Sequence, residues 1–126
     1  MIIRRAVLVV ALALLTVLGV ATPAWAHAKL QSSSPAQGAS LSAAPTQVTL
    51  TFGESVRPAR NPITVTGPGG AAWTVGPATV AGPVVSAPVT PAGPAGAYVL
   101  TYRVVSDDGD PVTGAVRFTL TVPASP

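Results

Sequence analysis

The chain has no cysteine, one histidine, one methionine, four acidic residues and six aromatic residues in 126 positions. Without cysteine there is no disulfide and no thiolate metal chemistry, so packing alone must hold the fold. With Met1 as the sole methionine, a thioether site is excluded as well. Histidine can enter a site only once, at His27, which rules out every constellation that needs two imidazoles. The formal charge of +3 exaggerates the basic character, because Arg4 and Arg5 stand at the very start of the chain. Beyond them, Lys29, Arg57, Arg60, Arg103 and Arg117 face Glu54, Asp107, Asp108 and Asp110, leaving +1. Such a balance offers no basic patch for nucleic acid.

What the chain does have begins at its start. Arg4 and Arg5, an apolar run from Ala6 to about Val20, and the small-x-small tripeptide Ala24-Trp25-Ala26 are the three parts of a secretory signal peptide. The residues after Arg4-Arg5 lack the rest of a twin-arginine signal, so general export is expected. An uncleaved anchor is the alternative reading, since the window from Ala6 to Trp25 approaches the ~20 residues that span a bilayer. The expected organisation is a leader over 1–26, one domain over 27–122 and a short tail over 123–126. Cleavage would make His27 the first residue of an exported protein, periplasmic or otherwise extracytoplasmic. An N-terminal histidine carries two nitrogen donors, the α-amine and the imidazole, which can chelate one metal ion.

The rest reads as short alternating segments separated by proline and glycine. Gln47 to Phe52 places Val48, Leu50 and Phe52 on one face, the period of two of a half-buried strand. Tyr98 to Val105 and Val112 to Val122 repeat the pattern. Weaker segments are Lys29 to Ser33, Pro62 to Thr66, Ala71 to Val75 and Val84 to Val89, and between Gly67 and Gly96 loops or frayed edge strands are expected. About seven short strands in a domain of ~100 residues predict an all-β fold, a Greek-key immunoglobulin-like β-sandwich. Disorder is the competing reading, given 14 prolines and 12 glycines. It fails because these residues cluster between the alternating segments rather than within them.

The acidic residues are few and grouped. Glu54 ends one strand, and Asp107, Asp108 and Asp110 occupy the connection between the two clearest strands. Taken singly, each has an ordinary reading: Asp-Asp-Gly-Asp is good turn chemistry, and Glu54 is a solvated strand end. Arg57 and Arg60 read as surface charges and Trp73 as packing. Should the strand end, the connection and the terminus meet at one pole, they would offer two nitrogens and up to four carboxylates. That set suits Cu(II), which tops the affinity order for mixed nitrogen and oxygen sites, and zinc is the alternative. The α-amine, with a reference pKa of ~7.7–8.0, must lose its proton to bind, so affinity should fall below neutral pH.

Two ordered stretches carry a resemblance. His27-Ala28-Lys29-Leu30, Ser33-Ser34-Pro35-Ala36-Gln37-Gly38-Ala39, Ala44-Pro45 and Val48-Thr49-Leu50-Thr51-Phe52-Gly53-Glu54 form the first, and Gly96-Ala97-Tyr98 with Tyr102-Arg103-Val104-Val105-Ser106-Asp107-Asp108-Gly109-Asp110-Pro111-Val112-Thr113-Gly114 form the second. Together they resemble the CopC-like copper-resistance domain family, secreted copper-binding β-sandwiches. The resemblance implies a Cu(II) site in which His27 is the first ligand, Asp108 the aspartate and Glu54 a nearby glutamate. The family's second histidine is replaced here by Asp110. Copper binding weaker and less selective than in two-histidine relatives is therefore expected. The implied role is non-catalytic sequestration or delivery, with a membrane copper transporter or another copper protein as partner. A structural or protein-interaction sandwich that has lost tight metal binding is the alternative, and Asp110 is its main support. A copper oxidase built on an N-terminal histidine is set aside, because it needs a second histidine.

Overall fold

The computed structural model describes residues 28–124. The signal-peptide reading and His27 lie outside the described residues; within them, no helix is long and apolar enough to cross a membrane. Nine strands form two sheets: β1 (Leu30–Ser34), β2 (Ser40–Leu41), β3 (Gln47–Phe52), β4 (Val56–Thr66), β5 (Thr74–Val75), β6 (Thr79–Ala81), β7 (Val84–Thr90), β8 (Gly96–Ser106) and β9 (Pro111–Leu120). One sheet runs β1-β3-β7-β5 with β6 also against β7, and the other runs β2-β9-β8-β4. The chain changes sheet at each step from β1 to β5, and again between β7 and β8. This is the all-β, immunoglobulin-like sandwich expected.

The alternation read from the sequence is the alternation of burial. Val48, Leu50 and Phe52 of β3 face inward onto Tyr98, Leu100, Tyr102 and Val104 of β8 and Val116, Phe118 and Leu120 of β9 in one core. Trp73, Tyr98 and Phe118 cluster at one end of that core, with ring centroids 5.3–6.0 Å apart. Their polar atoms find backbone partners, as buried groups must. Trp73 Nε1 donates to Ala92 O at 2.9 Å and Tyr98 Oη to Pro94 O at 2.7 Å. Trp73 is thus a packing residue, as expected.

Two expectations need correction. The region from Gly67 to Gly96 is not merely loops and frayed edges, because β7 is an interior strand whose Val85, Ala87 and Val89 are buried. Its span matches the weaker segment read over Val84 to Val89, and what differs is its interior place. Pro88 falls between the end of β5, Val75 opposite Val89, and the start of β6, Thr79 opposite Ser86, and its carbonyl accepts from Gly76 N at 2.8 Å. The other correction concerns β4, which starts six residues before the expected Pro62. Its register slips between Pro58 and Ile63, and this bulge, with Asn61 at φ 49°, interrupts the alternation.

Candidate metal site at one pole of the sandwich

Three chain segments meet at one end of the sandwich through backbone pairing. β1 opens opposite the end of β3, with Leu30 paired to Phe52 and Gly53 N donating to Lys29 O at 2.8 Å. Ala28 is 4% exposed and adopts φ 54°, a left-handed conformation that an alanine takes only when its surroundings hold it there. A Cβ built on Gly53 would lie 3.8 Å from Ala28 N, so the point to which residue 27 is joined sits beside the β3–β4 turn. Glu54 is the next residue in that turn. Beyond it, Val56 of β4 pairs with Ser106, the last residue of β8. The Asp107–Asp110 connection therefore rises next to the same turn.

The connection is a tight hairpin built on Ser106, which is 1% exposed. Ser106 N donates to Asp110 O at 2.9 Å, Gly109 N donates to Ser106 O at 2.9 Å, and Asp110 N donates to Ser106 Oγ at 3.2 Å. Gly109 takes φ 87°, which a β-carbon would oppose. Those bonds leave the side chains of Asp107, Asp108 and Asp110 at the exposed tip. The register thus places the Glu54 turn and the base of the aspartate hairpin at the same end of the sandwich as Ala28.

Glu54 differs from the aspartates. Its Oε1 is buried and has no hydrogen-bond partner among the described residues. A buried carboxylate oxygen left without a donor is costly, and a cation or donor placed against it removes that cost. Among the described residues, no group of three His, Cys, Asp or Glu side chains is arranged to hold a metal. Glu54, Asp108 and Asp110 do not make a cage alone. Nothing in the sequence singled out Ser106, whose burial beneath the hairpin depends on the β4–β8 register.

Comparison with known proteins agrees with this architecture. The CopC domain family model matches residues 30–121. Copper resistance protein C from Escherichia coli is 38% identical over 114 residues, covering 82% of this chain and 89% of that protein. Among solved structures, CopC from Methylosinus trichosporium OB3b superposes with a TM-score of 0.64 at 29% identity, over 75% of this chain and 93% of that one. PcoC, a methionine-rich copper resistance protein from Escherichia coli, superposes with a TM-score of 0.59 at 28% identity, over 76% of this chain and all of the other. With its sandwich, its pole of carboxylates and a family match over most of its length, the chain belongs to the CopC domain family.

Proposed function

We propose that this is an exported, non-catalytic protein that binds Cu(II) as cargo, to sequester it or to pass it to a copper-handling partner. The ligands are the amine and imidazole of His27, freed by removal of residues 1–26, with Glu54, Asp108 and Asp110 supplying oxygens. The observation that carries this reading is the buried Glu54 Oε1, without a hydrogen-bond partner among the described residues, in the residue that follows Gly53, itself beside Ala28 N. A buried acceptor beside the attachment point of a residue with two nitrogen donors is the donor set that Cu(II) favours. Cu(I) fits poorly. The PcoC relative is methionine-rich, whereas this chain's single methionine is Met1, so soft thioether donors are missing.

The aspartate hairpin adds charge more than affinity. Three carboxylates on four residues repel one another, and a divalent cation relieves that repulsion. Asp110 replaces an imidazole that the resemblance assigns to this position, which lowers nitrogen content and copper selectivity together. The second reading, a sandwich module without useful metal affinity, is supported by that replacement and by the absence of a cage among the described residues.

One titration separates the two. Protein beginning at His27, its mass confirmed, is titrated with Cu(II) beside a form carrying one extra residue before His27. Tight binding by the first and its loss in the second is the expected result. Equal, weak binding by both, with a copper EPR spectrum indistinguishable from that of the aquo ion, would select the module without metal. Asp110→His should tighten binding by orders of magnitude, and an unchanged affinity would place Asp110 outside the ligand set.

A further inference from the structure

Along β9, every second residue turns its backbone N–H and C=O away from β8. Towards the far end this row is used: Arg117 N donates to Gln37 Oε1 at 2.9 Å, Gly38 N donates to Arg117 O at 2.7 Å, Thr119 N donates to Ala39 O at 2.8 Å and Thr121 N donates to Leu41 O at 2.9 Å. The β8–β9 register runs without a shift from Leu120 back to Pro111, so Thr113 and Ala115 belong to the same row. β2 reaches only Thr119 and Leu120, and no described residue pairs with the outward backbone groups of Thr113 or Ala115. Half of β9, about 17 Å of extended chain, is an open edge.

The other edges are blunted in the ways sheets usually protect themselves. β4 carries a bulge, Pro58, Pro62 and two arginines, β1 carries a register shift at Leu30 to Ser32, and β5 and β6 are two and three residues long. The stretch Val112-Thr113-Gly114-Ala115-Val116 has no charge, no proline and no bulge. Gly114 at its centre has no side chain to obstruct an approaching strand, and Tyr102 from β8 fills the inner face over it.

We propose that this edge receives an extended peptide segment of a partner protein as an added strand, hydrogen-bonded to Thr113 and Ala115. A single strand fits where a second copy of the domain does not. An antiparallel copy paired over the same stretch would drive its own β8–β9 hairpin or its Pro111 end into the Gln37–Ala39 crossover at Arg117. Charge sets the occupant's ends. The exposed Asp110 flanks the open edge on one side and the exposed Arg117 flanks it on the other, so the segment carries a basic residue at the first end and an acidic one at the second. Neutral β-branched residues suit the middle, one face lying against half-buried Val112. The dock needs no bound metal, so it stands or falls apart from the copper reading.

The probe is a blocked synthetic heptapeptide, Lys-Val-Thr-Val-Thr-Val-Glu, added to the protein at millimolar concentration and followed by amide-resolved NMR and hydrogen exchange. Exchange at the Thr113 and Ala115 amides should slow about tenfold, the protection of one added hydrogen bond. Ala115→Pro, which removes an outward N–H and no β8 bond, should abolish the effect. So should N-methylation of the peptide at alternate residues, which leaves the protein untouched. Unchanged amides at both positions, or shifts confined to β1 or β4, would overturn the proposal. Protection that rises with protein concentration without peptide would overturn it too, assigning the edge to a second copy.

Discussion

Gly67→Ala tests the packing of the aromatic end of the core. Gly67 has φ −145°, which any residue adopts, so the substitution meets no backbone objection. The obstacle is Tyr98: an added Cβ would overlap its Cε2 and Cδ2 and lie 2.7 Å from Cζ, against about 3.5–4.0 Å for relaxed carbon contacts. Tyr98 is fully buried, lies nearly parallel to Phe118 at 16°, touches Trp73 and is tied through Oη to Pro94 O. It has no free direction in which to swing. Overpacking costs about 1–3 kcal/mol, and weakening the tyrosine hydrogen bond adds about 1. The entropy removed from the unfolded chain returns ~0.4–1 kcal/mol. The net expectation is about 2–3 kcal/mol, or roughly 10–20 °C in Tm for a domain of this size. Urea unfolding at constant m would measure it. A loss below about 0.5 kcal/mol, the range of an inert surface change, would mean that the cluster is not close-packed as described.

Other outcomes follow from the same geometry. Gly114→Ala meets the outer end of Tyr102 instead, at Oη and Cζ, so it should cost less, about 1 kcal/mol, and Tyr102→Phe should recover part of that. Burial pushes the Tyr102 phenol above its ordinary value of 10.0, so the neutral form is favoured by folding. The stability this represents is complete below pH 10 and is lost as pH rises through the higher folded value. A near-ultraviolet titration compared with Tyr102→Phe should reveal a phenol ionising above 10, and one ionising at or below 10 would contradict the burial. Ser106→Ala deprives Asp110 N of its Oγ partner and should cost about 1 kcal/mol by thermal unfolding. It should also weaken Cu(II) binding without abolishing it, by loosening the hairpin that carries Asp108 and Asp110.

How much could be read beforehand followed from how local each cause was. β3 matched residue for residue because a buried face against a solvated one writes itself as alternation. β8 and β9 were legible for the same reason. β7 was legible as a segment over Val84 to Val89, but its interior place was not, because that depends on which strands lie alongside. β2 and β6 are too short to leave a period. At the pole, the types of residue posed a meeting of the strand end and the hairpin only as a condition, and the backbone pairing that bears on it was not legible. The buried Ser106, the left-handed Ala28 and the orphaned Glu54 oxygen are products of register, and register is set by the whole sheet.

Ala28 bears on timing. It is sealed against the sandwich in a conformation that alanine does not choose freely, so the folded domain holds its backbone in place. Under the proposed cleavage and copper reading, the cut that removes the leader would also create the amine that holds the cargo. On that reading a copy still carrying its leader would lack the amine chelate, however well folded, and a copy that has been cut would bind without further assembly. The protease that completes export would serve as the switch, confining copper capture to the far side of the membrane without any regulatory domain.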